Sequence, residues 1–187
     1  MSAVAVVQPV TGRTTWALDP VHSSVEFAVR HLMITTVKGR FADVQGTVVL
    51  DDVTPSASSA EITIQAASID TREPQRDAHL KSPDFFDAEQ FPTLTFRSTA
   101  VREWNDDGLT LVGDLTIHGV TREVALDVKN EGRTRDPWGG ERTGFTATTK
   151  IKRSEFGLTW NQLLETGGLA VSDDVKISLD IQLVLKA

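Results

Sequence analysis

The residue types best suited to chemistry lie within four positions of one another. They are Arg76, Asp77 and His79, in the stretch Arg76-Asp77-Ala78-His79-Leu80-Lys81-Ser82-Pro83-Asp84-Phe85-Phe86. A guanidinium suits a phosphate or carboxylate, and a carboxylate beside an imidazole is the minimum for acid–base work. In a helical turn, residues three or four apart share a face, so Arg76, His79 and Leu80 point together while Asp77 faces Lys81. Pro74 fits the first turn of a short helix, because its fixed φ is helical and its missing N–H has no partner there. Ser82-Pro83-Asp84 repeats the start signal, so two short helical turns are predicted. One reading makes this insertion a polar rim that hydrogen-bonds a ligand headgroup. The other makes Arg76 and Asp77 ion-pairing anchors that hold it to a wall. Phe85, Phe86 and Phe91 are satellite core under the insertion, or ligand contacts if the fold is hollow.

Other chemistry is sparse. His22, His31, His79 and His118 are scattered, with no pair at i, i+4 spacing on a helix. A metal site would need His31 and His79 to meet in space. The chain has no cysteine, which excludes disulfides, thiolate metal sites and a cysteine nucleophile. Gly-x-Ser-x-Gly and Gly-rich phosphate loops are absent from the sequence. The expectation is a protein that is not an enzyme and needs no metal or cofactor. The rival is an enzyme that uses Arg76, Asp77 and His79 on an apolar substrate at a barrel mouth.

The segments around this insertion read as strands. Val25, Phe27 and Val29 alternate with polar or small residues, and Leu109, Leu111, Gly113, Leu115 and Ile117 do the same. The last row, Val175, Ile177, Leu179, Ile181, Leu183 and Leu185, is the longest and cleanest. Asp106-Asp107-Gly108, His118-Gly119 and Pro137-Trp138-Gly139-Gly140 mark tight turns. Arg30-His31-Leu32-Met33 reads as a bend or helical turn. The shift of apolar phase between Phe41 and Val44 reads as a bulge within one long strand from Val37 to Leu50. Arg153 to Asp174 is a second irregular region, with Phe156-Gly157 and Trp160-Asn161. About eight antiparallel strands with one apolar face must pack on a second sheet or close into a barrel. Small residues on the inner rows, Ser98, Gly113, Ala147 and Thr149, suggest space inside.

With 187 residues and 40% hydrophobic content, a short flexible arm over residues 1–13 and one domain over 14–187 are expected. A net charge of −7 argues against nucleic acid or an anionic membrane surface as partner. No run approaches the roughly 18 apolar residues of a membrane helix, so no membrane insertion is expected. Ala3 to Val7 is too short for a signal-peptide core, which makes the cytoplasm the expected location.

Taken together, the motifs resemble one family. They are Trp16 to Asp19, Phe27, Arg30-His31-Leu32, Gly39-Arg40-Phe41, Ser68-Ile69-Asp70-Thr71, Arg76-Asp77-Ala78-His79-Leu80, Phe85-Phe86, Phe91-Pro92, Phe96-Arg97-Ser98, Gly113 to Thr121, and Arg153-Ser154-Glu155-Phe156-Gly157. In this order they resemble the YceI-like polyisoprenoid-binding proteins, over about Thr15 to Leu185. The resemblance implies an all-β, lipocalin-like barrel of eight antiparallel strands with short helical insertions. It also implies a bound isoprenoid lipid, of polyprenyl phosphate or quinone type, and a homodimer. The ligand-binding set expected from these motifs and the irregular segments is Phe27, His31, Leu32, Arg40, Phe41, Arg76, Asp77, His79, Phe85, Phe86, Phe96, Phe156 and Trp160.

Overall fold

The computed structural model describes residues 12–105 and 108–186. Its strands, in chain order, are β1 (Arg13–Leu18), β2 (Ser24–His31), β3 (Thr35–Phe41), β4 (Val44–Asp51), β5 (Ser59–Gln65) and β6 (Ile69–Asp70), then, after one α-helix α1 (Pro74–Lys81), β7 (Thr93–Asn105), β8 (Gly108–Ile117), β9 (Val120–Arg135), β10 (Glu141–Lys152) and β11 (Val171–Leu185). Eight of them close a ring of antiparallel pairs, β1–β4–β5–β7–β8–β9–β10–β11, which returns to β1. The strand pattern predicts antiparallel sheet and the family resemblance implies its closure into this barrel, which leaves the ring without a free edge.

Of the expected arm, residues 1–11 lie outside the described residues, and β1 already begins at Arg13. The turn expected at Asp106-Asp107 also lies outside them, while Asn105 and Gly108 pair on either side of it.

β11 determines the shape. Its 15 residues are longer than any one neighbour can cover on its open side. Val175 to Asp180 pair with β2, whereas Leu183 to Leu185 pair with β1. β2 carries β3 and β6 outward as an extra flap of wall. Two readings of the sequence are corrected here. Residues 42–43 are a corner and not a bulge, because β3 pairs with β2 and β6 while β4 pairs with β1 and β5. Leu32 and Met33 form a left-handed turn, with φ of 50° and 61°, so the chain reverses directly from β2 into β3. Turns of this kind normally signal themselves with Asn or Gly, and Leu-Met carries no such signal.

α1 forms where Pro74 predicts it. The Glu73 carboxylate caps it by accepting from the N–H groups of Gln75 and Arg76, which satisfies donors with no intrahelical partner. The second helical turn expected at Ser82 does not form. Ser82 instead ends α1, and residues 83–86 fold as turns closed by Phe86 N–H to Leu80 O at 3.0 Å and Asp87 N–H to Ser82 O at 3.0 Å.

Candidate functional site

The rows that point inward do not meet. Val175, Ile177, Leu179 and Ile181 of β11 are only partly buried, although their neighbours across the ladders, such as Phe27 and Ala147, also face inward. Their remaining accessible surface borders one cavity of about 470 Å³, within the size range of small-molecule sites. Lining residues of β11 run from Val171 to Leu183. At about 3.4 Å per residue and a strand tilt of about 40°, that span projects to about 30 Å along the barrel axis. The cavity is therefore long and narrow. Its walls are mainly Val, Leu, Ile, Phe and Ala from the ring strands other than β1, together with β2 and β3.

Nine of the expected site residues line it: Phe27, His31, Phe41, Arg76, His79, Phe85, Phe86, Phe96 and Trp160. Phe27, Phe41 and Phe86 are in ring contact at 5.8 and 5.7 Å, so they form a continuous aromatic strip on one wall. Gly39 permits this packing, because a Cβ there would overlap the Phe27 ring and the Thr71 methyl. At the α1 end, His79 meets Phe85 and Trp160 edge-on, with centroids 5.1 and 4.7 Å away. That contact joins α1 to the loop after β10. Small inner residues behave as expected at Ala147 and Thr149, which border the cavity. They do not at Gly113, where the Phe96 ring occupies the space, or at Ser98, whose hydroxyl accepts from Ala60 N–H at 2.8 Å.

Four expected site residues lie off the cavity wall. Leu32 sits in the β2–β3 turn, which directs it outward, and is 38% exposed. Arg40 falls on the outer phase of β3 and pairs with Asp70 at 3.1 Å. The Arg72 N–H and the Arg40 guanidinium hold the Asp70 carboxyl below its ordinary range. Phe156 is fully buried beside the barrel, in the short 3-10 turn 153–156. Asp77 turns toward the chain and accepts from both the N–H and the hydroxyl of Thr71. Arg76 donates Nε to Thr71 Oγ1 at 2.7 Å and Nη2 to Thr71 O at 2.8 Å. The anchoring of the insertion thus runs through one threonine and not through ion pairs. Arg76 serves both as anchor and as cavity wall.

Arg153 lines the cavity as well, although it is not among the expected site residues. A signal was present, since Arg153 continues the inward phase of Ala147, Thr149 and Ile151. Its side chain is 6% exposed. Nε donates to Ser172 O at 3.0 Å, and Nη1 donates to Leu158 O and Trp160 O at 2.8 Å each. Burial pushes its pKa down, against the attraction of Asp173. These bonds tie the loop 157–170 over the end of the barrel.

Asp77 and Arg76 both bond the Thr71 hydroxyl, whereas His79 Nε2 is 2.9 Å from Asp84 Oδ2. The trio is therefore not a convergent acid–base set. Among the described residues no three His, Asp or Glu side chains gather as a metal site, and no helix is long and apolar enough to cross a membrane.

The model of the YceI-like domain matches residues 16–183. Protein YceI of Salmonella newport is 42% identical over 138 residues, 74% of this chain and 72% of that protein. Protein YceI of Escherichia coli O17:K52:H18 is 42% identical over 137 residues, 73% of this chain and 71% of that protein. Among solved structures, BcnA of Burkholderia cenocepacia superposes with a TM-score of 0.78 at 25% identity, covering 88% of this chain and 98% of that one. The Campylobacter jejuni YceI protein gives 0.73 at 31% identity, over 84% and 90%. A polyisoprenoid-binding domain from Saccharophagus degradans shares the fold, with a TM-score of 0.68 at 16% identity over 92% and 99%. With nearly the whole barrel matched, the chain belongs to the YceI-like domain family.

Proposed function

We propose that this protein binds a long-chain isoprenoid lipid, of polyprenyl phosphate or isoprenoid quinone type, inside the barrel. Its role is to store, transport or sequester that lipid, not to transform it chemically. The observation that carries the reading is the cavity of about 470 Å³ whose inward rows stop short of one another. Moving hydrocarbon from water into such walls is favourable by about 0.8 kcal/mol per CH₂, so a few isoprene units suffice for tight binding without directional contacts. The polyisoprenoid-binding neighbour with the same fold supports this ligand class.

The length of the cavity sets a limit. An isoprene unit adds four chain carbons, about 5 Å when extended with C–C bonds near 1.5 Å. The projected 30 Å or so along the axis then holds about six units. In a series of polyprenyl chains, affinity rises with each unit and levels off near six. Affinity independent of chain length, or no binding at any length, would overturn the proposal.

A further inference from the structure

The two ends of the cavity differ in chemistry. Near the start of β5 the polar lining is the neutral pair Ser58 and Ser59, beside Trp104. At the α1 end it includes, beside Thr71, the basic side chains Arg76, His79, Arg153 and His31. These four belong to one connected cluster. Arg76 and His79 share a face of α1 at i, i+3, and the His79 ring lies 4.7 Å from that of Trp160. The Trp160 carbonyl accepts from Arg153 Nη1 at 2.8 Å. Arg153 Nη2 lies 3.4 Å from the carbonyl of Val171, which pairs across the sheet with His31.

The carboxylates near this end approach from outside. Asp77 is bonded to Thr71, Asp84 to His79, and Asp173 to the N–H and hydroxyl of Ser154. None of the three borders the cavity. Glu26 is the one acid among the described lining residues, and it is exposed on the phase of β2 opposite Val25 and Phe27. Among the described residues, no carboxylate lies within 4.0 Å of the Arg76 or Arg153 guanidinium.

We propose that the α1 end of the cavity holds an acidic headgroup, a phosphate or a carboxylate, with the apolar chain running toward Ser58 and Trp104. This rests on the lipid-carrier reading and adds the charge of the headgroup and its orientation. Arg153 is a buried cation whose partners are all neutral carbonyls, and buried charges are ordinarily compensated by a countercharge. An anion at this end supplies one, and beside the buried Arg153 water screens it less than at the exposed Arg76. Arg76 offers the donor. Its Nε and Nη2 are engaged by Thr71, while Nη1 has no hydrogen bond among the described residues. A guanidinium N–H suits a phosphate or carboxylate oxygen. A neutral headgroup would leave the buried Arg153 with carbonyl partners and only the attraction of Asp173, while the exposed Arg76 would turn its free N–H to water.

The test compares ligands with one chain and different heads: farnesol, farnesoic acid and farnesyl phosphate, with inorganic phosphate as the chainless control. Binding is read by calorimetry and by intrinsic tryptophan fluorescence, to which Trp104 and Trp160 at the cavity wall contribute. The two acids are expected to bind at least tenfold tighter than the alcohol, and the difference to shrink as salt is raised. Arg76→Gln is expected to narrow the ratio between acid and alcohol. If that variant misfolds, the salt dependence of the unaltered protein decides. Equal affinity for all three farnesyl ligands would overturn the headgroup assignment and leave the carrier reading standing. No binding of any of them would remove the carrier reading and this inference with it. Inorganic phosphate binding as tightly as farnesyl phosphate would make the cluster a free-anion site and overturn the lipid assignment.

Discussion

Ala147 stands midway along β10, opposite Val128 of β9 and Leu179 of β11, and all three border the cavity. Replacing it with Phe adds six carbons to the wall where a ligand chain would run. If those carbons displace about one isoprene unit, five ligand carbons lose burial at about 0.8 kcal/mol each, or about 4 kcal/mol. That corresponds to a loss of about 10² to 10³ in affinity. The same substitution in a filled core would cost about 1–3 kcal/mol of stability through overpacking. Here the ring enters an open cavity, and Phe suits a strand, so stability is expected to hold or rise. The assay pairs lipid titration with urea denaturation of A147F and the unaltered protein. Undiminished lipid affinity in a folded variant would show that no chain passes the middle of the barrel. A stability loss of the size seen for packed cores would show that the cavity is not open space.

Three other expectations follow from the same contacts. Phe156→Ala removes a fully buried ring and is expected to cost about 3–5 kcal/mol in chemical denaturation; a cost under 1 kcal/mol would mean that the 153–156 turn does not pack as described. Asp77→Asn weakens the acceptor that holds Thr71 N–H and hydroxyl and is expected to raise amide exchange over residues 71–81 while barrel strands stay protected; unchanged exchange would reassign the anchoring to Arg76. Burial would raise the pKa of Asp19, but hydrogen bonds from His22 and Arg142 outweigh it and lower it from 3.8 to about 2. Because the folded value lies below the ordinary one, this ionised carboxylate contributes about 2 kcal/mol that is complete above about pH 4 and is lost as pH falls toward 2. Unfolding measured from pH 5 to 2 should therefore decline more steeply for the unaltered protein than for Asp19→Asn, and parallel curves would refute the assignment.

Strand alternation made the strands and their inner faces legible, because a residue's side is fixed by parity once a strand is recognised; closure into a barrel rested on the family resemblance. The same parity places Phe27, Phe41 and Phe96 inward and Arg40 outward, yet Arg40 was expected in the site on the strength of its motif. Parity fails where the backbone turns. Leu32 lacks a glycine signal for its turn, and the corner at residues 42–43 mimics a bulge because both shift the phase by one. Pro74 announced α1, but nothing local told that Asp77 would turn to Thr71, since that bond depends on how the helix docks. Parity alone places Arg153 inward, but a charged residue at the end of an apolar row looks like the start of a loop.

The most direct test of the account is native mass spectrometry of the purified protein, followed by organic extraction and identification of what is released. The account predicts a mass excess of about one isoprenoid lipid per chain, restored when the stripped protein is given the same lipid. A bare polypeptide mass, with no uptake of added isoprenoid quinones or polyprenyl phosphates, would contradict it.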